Sequence, residues 1–176
     1  MNRYIVMKRN CPTTSGLTIM LLKRSIVSLC FVLFAVPVAA QPSAGSRWVT
    51  LTNGAGARVE FPPALFPEEK SSGANTQSFA TADHRGQFEF FSIPNTHGDT
   101  PAQFVRRAER KTERLSYRRV TGNFIAASTV RGGRILYRRC NFSGNMIHCI
   151  DLRYPVAQKR AWNGVVTRIS LSLRPR

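Results

Sequence analysis

The chain has 176 residues, of which 26 are Lys or Arg against 9 Asp or Glu, for a formal net charge of +17, and 43% are hydrophobic. That length excludes more than one ordinary domain beside a short accessory segment, and that apolar content excludes wholesale disorder. What remains is a folded basic domain in which Arg far outnumbers Lys.

At the N-terminus, Lys23 and Arg24 precede an apolar run over residues 26–40 (IVSLCFVLFAVPVAA), followed by Gln41, Pro42 and the polar stretch Ser43-Ala44-Gly45-Ser46. This is the order of a signal peptide: charged region, apolar region, cleavage site. Val38 and Ala40 supply the small residues expected at minus three and minus one, so residues 1–40 read as the signal and 41–46 as a short linker. An uncleaved anchor is disfavoured because the run is shorter than the roughly 20 residues of a spanning helix and contains Pro37. A lipoprotein reading of Cys30 fails on the bulky Leu29 before it. Starting at Met20 gives a signal of ordinary length, in which case Cys11 is never made.

Cleavage removes Arg3, Lys8, Arg9, Lys23 and Arg24 and no acid, leaving 21 basic residues against 9 acidic, a net +12. The basic character therefore belongs to the domain over residues 47–176. In the periplasm or outside the cell it would meet lipopolysaccharide, anionic lipid or glycan, or acidic proteins; nucleic acid has no specific support.

Residues 47–51 and 57–61 are β-rich runs separated by the turn signal Asn53-Gly54-Ala55-Gly56, which predicts an opening hairpin. Pro62 and Pro63 end it. Residues 68–76 (EEKSSGANT) read as a polar loop, followed by strands over 77–82 and 87–93 joined by Asp83-His84-Arg85-Gly86. Thr100-Pro101-Ala102-Gln103 predicts a helix start with a capping box, and the helix should run to Arg114. Phe104, Val105, Ala108 and Leu115 form its apolar stripe; Arg106, Arg107, Arg110, Lys111 and Arg114 form a basic face, the candidate anion-binding site. Strands follow over 116–120, 123–130, 134–142 and 146–154, punctuated by Thr121-Gly122 and Arg131-Gly132-Gly133. After Pro155 a closing helix carries Trp162, Val165, Val166, Ile169 and Leu173, with Asn163-Gly164 as a possible break point. The pattern is α+β, an antiparallel sheet of about six to eight strands packed with a central and a C-terminal helix.

The two cysteines that survive cleavage, Cys140 and Cys149, flank a candidate two-residue turn, Gly144-Asn145. With that turn, Ser143 faces Met146, Asn141 faces His148 and Cys140 faces Cys149 in a non-hydrogen-bonded pair, where side chains approach most closely. The same register sets Arg138 opposite Asp151, Leu136 opposite Arg153, Tyr137 opposite Leu152 and Ile135 opposite Tyr154. The expected disulfide is a hairpin staple, since neither cysteine has the spacing or helix start of a redox site.

The run VEFPPALF from Val59, the stretch from Tyr117 through Gly122-Asn123-Phe124, Gly132-Gly133-Arg134-Ile135-Leu136-Tyr137, Leu152-Arg153-Tyr154-Pro155 and the ending over 169–175 resemble small exported alphaproteobacterial proteins. Those are similar to the PsbP-like and Mog-like α/β/α sandwich superfamily, and the resemblance covers residues 48–175. It implies a curved antiparallel sheet flanked by helices and a binding or scaffolding role, and it carries over no catalytic residue. Trp162-Asn163-Gly164 stands where the resemblance would place a tyrosine, an aspartate and a proline ahead of the last helix.

No motif supports catalysis or a cofactor. His84, His97 and His148 have no metal-ligand spacing, Ser128 and Ser143 lack a hydrolase elbow, and Glu60, Glu89, Asp83 and Asp151 form no recognisable pair. Arg131-Gly132-Gly133-Arg134 is read as a glycine turn rather than an RGG nucleic-acid motif, and the sequon Asn141-Phe142-Ser143 as chance within a tight hairpin. Arg118, Arg119, Arg138 and Arg139 could extend the basic helix, because arginine grips phosphate and carboxylate bidentately. Two functions stand: a non-enzymatic exported domain binding an anionic ligand or acidic partner through an Arg-rich surface, or an envelope accessory protein binding a protein through an apolar groove. Salt-sensitive binding favours the first and salt-insensitive capture the second.

Overall fold

The structure, a computed structural model, describes residues 47–108 and 115–176. The expected signal over 1–40, the linker over 41–46, Cys11 and Cys30, and also Arg110, Lys111 and Arg114 lie outside the described residues. The elements are β1 (Val49–Thr52), β2 (Arg58–Phe61), β3 (Glu68–Gly73), β4 (Thr76–Ala80), β5 (Gln87–Pro94), α1 (Pro101–Ala108), β6 (Leu115–Val120), β7 (Phe124–Arg131), β8 (Arg134–Ser143) and β9 (Met146–Pro155). A 3-10 turn (Val156–Gln158) and α2 (Lys159–Ser172) close the chain. Seven strands make one antiparallel sheet in the order β3-β4-β5-β9-β8-β7-β6, and β1 with β2 makes a separate two-stranded sheet. The architecture is the α+β one expected.

Strand alternation sorts the side chains to two covered faces. Phe88 and Phe90 of β5, Ile135 of β8, and Ile150, Leu152 and Tyr154 of β9 form a core with Trp162, Val165, Val166 and Ile169 of α2 and with Val59 and Phe61 of β2. The opposite face holds a smaller core of Cys140, Cys149, Ile125 and Ile147 against Val105 of α1. Because both faces of β9 are covered, it buries most of its residues, His148 and Asp151 included.

The β8–β9 hairpin has the register read from the sequence, from Ser143↔Met146 through Asn141↔His148, Cys140↔Cys149 and Arg138↔Asp151 to Ile135↔Tyr154. Gly144 takes the left-handed turn position at φ 55°. The cysteines are bonded with their Cα atoms 4.1 Å apart, as a non-hydrogen-bonded pair allows. Closing so short a loop contributes about 2–3 kcal/mol. At the β7–β8 turn Gly132 and Gly133 both have positive φ, and Arg131 pairs with Arg134, so the RGG run is a hairpin turn.

Three expectations need correction. Residues 68–76 are not a loop: β3 pairs with β4 around Ala74 and Asn75, and its polar, exposed residues are those of an edge strand. Leu115 does not belong to the helical stripe but opens β6, opposite Thr129. The helix begins as expected at the capping box, where Thr100 Oγ1 accepts from the Gln103 amide at 3.3 Å and Gln103 Oε1 from the Thr100 amide at 2.8 Å, and the rest of its expected run to Arg114, beyond Ala108, lies outside the described residues. Asn163-Gly164 does not interrupt the last helix, which is continuous because Trp162, Val165, Val166 and Ile169 anchor one side of it. The opening hairpin forms as expected, but it leaves the main sheet and packs on α2, with the Glu60 amide donating to Ser172 Oγ at 2.9 Å.

Candidate functional site

The tandem arginines Arg118-Arg119 and Arg138-Arg139 lie on β6 and β8, the two strands that flank β7 in the pleated sheet, so one of each pair falls on each face. Arg138 is on the α1 side, where its Nε and terminal nitrogen donate to the two Asp151 oxygens at 2.6 and 2.5 Å. Arg119 and Arg139 are on the α2 side and flank Ala126 in one rung across β6, β7 and β8. Arg139 stacks on Phe124 at 4.2 Å from the ring centroid, Arg119 lies 5.4 Å from the same centroid, and Arg139 Nε donates to Asn141 Oδ1 at 3.1 Å. Burial, together with the charges of Arg174 and Arg119, depresses the Arg139 guanidinium below the usual arginine value, against the opposing pull of Tyr137.

These two arginines stand at one end of a groove of about 540 Å³ between β6–β8 and α2. The next rung is Tyr117, Ser128 and Tyr137, and beyond it lie Val130, Ile135 and Tyr154. Tyr137 bridges the floor to the helix through a 2.7 Å hydrogen bond with Ser170, and burial raises its phenol above the usual value. Lys159 stands exposed among the lining residues of α2, and none of the described residues lining the groove is acidic. The carboxylates that meet arginine serve others: Asp99 pairs with Arg107, Asp151 with Arg138, and Glu60 with Arg168. A bulge between Leu115 and Tyr117 in β6 makes this possible, since it lets Leu115 face α1 while Tyr117 faces the groove.

Of the candidate set read from the sequence, Arg106 and Arg107 are among the described residues. Arg106 is exposed on α1, Arg107 is engaged with Asp99, and Arg110, Lys111 and Arg114 are outside the described residues. Of the proposed extension, Arg119 and Arg139 enter the groove while Arg138 leaves it for Asp151. Tyr117, Val130 and Lys159 carry no site signal singly; the period-2 alternation of Tyr117-Arg118-Arg119 against Tyr137-Arg138-Arg139 is the sequence signal for this face. A smaller cavity of about 250 Å³ on the α1 side is lined by Phe104, Val105, Leu115 and Leu136, with the Arg138–Asp151 pair among its lining residues.

The histidines do not gather. His84 is exposed beside Glu68 at 3.2 Å, His97 is exposed, and among the described residues no three His, Cys, Asp or Glu side chains could hold a metal ion. His148 is buried, its Nδ1 hydrogen-bonded to Ser92 Oγ at 2.8 Å, and Ser92 Oγ accepts from Asn53 Nδ2 at 2.7 Å. Ser92 and His148 are only 4% and 2% exposed, so no substrate reaches this pair and it fastens the β1–β2 turn to the sheet.

Burial depresses the His148 imidazole below its ordinary value of 6.5, so the folded protein stays neutral at His148 where the unfolded chain binds a proton. The associated stability is whole above about pH 6.5 and is lost as pH falls, by up to about 1.4 kcal/mol per pH unit, until the folded imidazole itself titrates. Urea midpoints between pH 7.5 and about 5.5 should show this slope, and His148→Gln should flatten it. Glu68 and Asp83, held low chiefly by hydrogen bonds from Lys70 and Thr81, titrate below that window.

No family model and no curated protein matches the chain. Among solved structures it is similar to cyanobacterial PsbP (CyanoP) from Synechocystis sp. PCC 6803, with a TM-score of 0.54 at 9% identity, over 80% of this chain and 100% of that one. A protein from Bacteroides thetaiotaomicron VPI-5482 aligns with a TM-score of 0.47 at 14% identity, over 74% of this chain and 48% of that one. The fold is therefore PsbP-like. Among the described residues, no helix is long and apolar enough to cross a membrane.

Proposed function

We propose that this PsbP-like domain is an exported, non-enzymatic binding module that takes an anionic ligand in the groove between β6–β8 and α2, held by Arg119 and Arg139. One observation carries the reading: two neighbouring guanidinium groups, one of them partly buried, share a groove with Lys159 and with no acidic side chain. An oxyanion there would accept charge-assisted hydrogen bonds and relieve the repulsion between the cations. Export is supported by the leader-like sequence and by a disulfide between Cys140 and Cys149, since such bonds persist in oxidising compartments. The second reading, a scaffold that captures a protein partner in the same groove, is favoured by its exposed Tyr117, Val130, Val156 and Leu171.

The test is an NMR titration of the purified protein with acetate and inorganic phosphate across a salt series. Shifts should concentrate at Arg119, Arg139 and their neighbours on β6–β8. Arg119→Gln with Arg139→Gln should weaken binding by about tenfold or more, since hydrogen bonds to charged groups contribute about 1.5–3 kcal/mol each. Arg106→Gln, Arg110→Gln and Arg114→Gln together should leave those shifts in place. Shifts that follow the α1 arginines instead, or that vanish everywhere with modest salt, would sink the reading.

A further inference from the structure

Five large apolar side chains are exposed among the described residues, and four of them, Tyr117, Val130, Val156 and Leu171, line the same groove as the arginines. Exposed apolar residues scattered singly are ordinary, but a contiguous set marks a surface that something covers. Val130 and Leu171 are 52% and 58% exposed, so covering them removes substantial apolar area from water.

The strand floor of the groove is also graded along its length. Arg119 and Arg139 occupy one rung, tyrosines the next, and Val130 with Ile135 the one after. From Ala126 to Val130 the strand advances about 13 Å. The charged end is the better anchor for an acid: its two guanidinium groups are neighbours, and Arg139 is fixed by Phe124 and Asn141, whereas Lys159 is a single exposed amine. A volume of about 540 Å³ falls within the range of small-molecule sites.

Resting on the anion-binding reading above, we propose that the groove's ligand is a free single-chain amphiphile, with its acidic head between Arg119 and Arg139 and its hydrocarbon tail over Tyr117 and Val130. A double-tailed lipid would overfill the groove, and a small polar anion would leave the four apolar side chains in water. The chemistry is reversible binding; no bond is made or broken.

The experiment titrates the purified, oxidised full chain with acetate, hexanoate, decanoate and dodecanoate below micelle-forming concentrations, with dodecanol and vesicles of anionic phospholipid as separate arms. Affinity should tighten by about two- to fourfold for each added methylene until the groove is full, as expected from about 0.8 kcal/mol per fully buried methylene. Val130→Ser should reduce that increment while leaving the acetate shifts at Arg119 and Arg139 unchanged. Acetate shifts without any gain from chain length would overturn the amphiphile and leave the anion site standing. No shift at Arg119 or Arg139 with any acid would overturn both. Dodecanol binding as tightly as dodecanoate, or binding seen only with vesicles, would each also remove the proposal.

Discussion

Trp162→Ala should lower the unfolding free energy by about 3–5 kcal/mol, the range for deleting a buried large aromatic side chain. Trp162 is 2% exposed and stacks on Tyr154 with centroids 5.0 Å apart, while Phe66 meets it edge-on at 5.8 Å. Its Nε1 donates to Gln158 Oε1 at 3.1 Å, which ties the indole to the turn that opens α2. Truncation loses the apolar transfer term, the ring contacts and that hydrogen bond, and it leaves a cavity walled by rigid aromatic rings that cannot collapse. In a domain whose whole stability is about 5–15 kcal/mol, this is a large share. The loss should appear as a lowered urea midpoint with an unchanged m-value. Because α2 walls the groove, the variant should also weaken whatever ligand binds there; Arg119→Gln with Arg139→Gln should weaken binding and leave the midpoint nearly unmoved.

The sequence pattern discloses the fold where local chemistry and tertiary packing agree. The β8–β9 register could be counted from Gly144-Asn145 because the turn, the two cysteines and the Arg138–Asp151 pairing all pointed to one alignment. The capping box at Thr100 was equally plain. Strand β3 was missed because an edge strand needs no apolar face: Glu68, Glu69 and Lys70 are the residues that protect an edge, and they look like a loop. The segregation of β1–β2 from the main sheet was hidden for another reason. Val59 and Phe61 alternate as they would in any half-buried strand, and nothing local says whether the surface beneath them is a sheet or a helix.

The groove is the least legible feature, although Arg119 and Arg139 stand out in the sequence. They are 20 positions apart and become neighbours only through two successive strand registers, each taken from a hairpin turn, with Ala126 between them. The bulge after Leu115 then decides which face Tyr117 and Arg119 take, and a bulge of this kind has no sequence mark of its own. The helix wall comes from Thr167, Ser170 and Leu171, which look in sequence like the ordinary outer flank of an amphipathic helix. A run of basic residues on one predicted helix was easier to see, and of the described members of that run Arg107 is engaged with Asp99.

Gly86→Val should destabilise the fold by about 3 kcal/mol through overpacking. The position is not a matter of backbone conformation, since Gly86 is not among the positive-φ residues. It is a matter of space: a Cβ there would stand 2.6 Å from Thr81 Cγ2 and 2.6 and 2.7 Å from two atoms of the Trp162 ring. Neither neighbour yields easily. Thr81 is held by its hydroxyl, which accepts from the Gly86 amide at 2.9 Å and donates to Asp83 Oδ1 at 2.6 Å, and Trp162 is stacked on Tyr154. The indole is therefore accommodated because residue 86 has no side chain. The two substitutions should not add. In Trp162→Ala the space beside residue 86 is open, so Gly86→Val there should cost far less than about 3 kcal/mol and could recover stability by filling the cavity. A thermodynamic cycle of the four proteins by urea denaturation measures this coupling, expected at about 1–3 kcal/mol with the double variant more stable than the sum predicts. Strict additivity would show that the indole and Gly86 do not share the contact, and would move the origin of the close packing to Thr81.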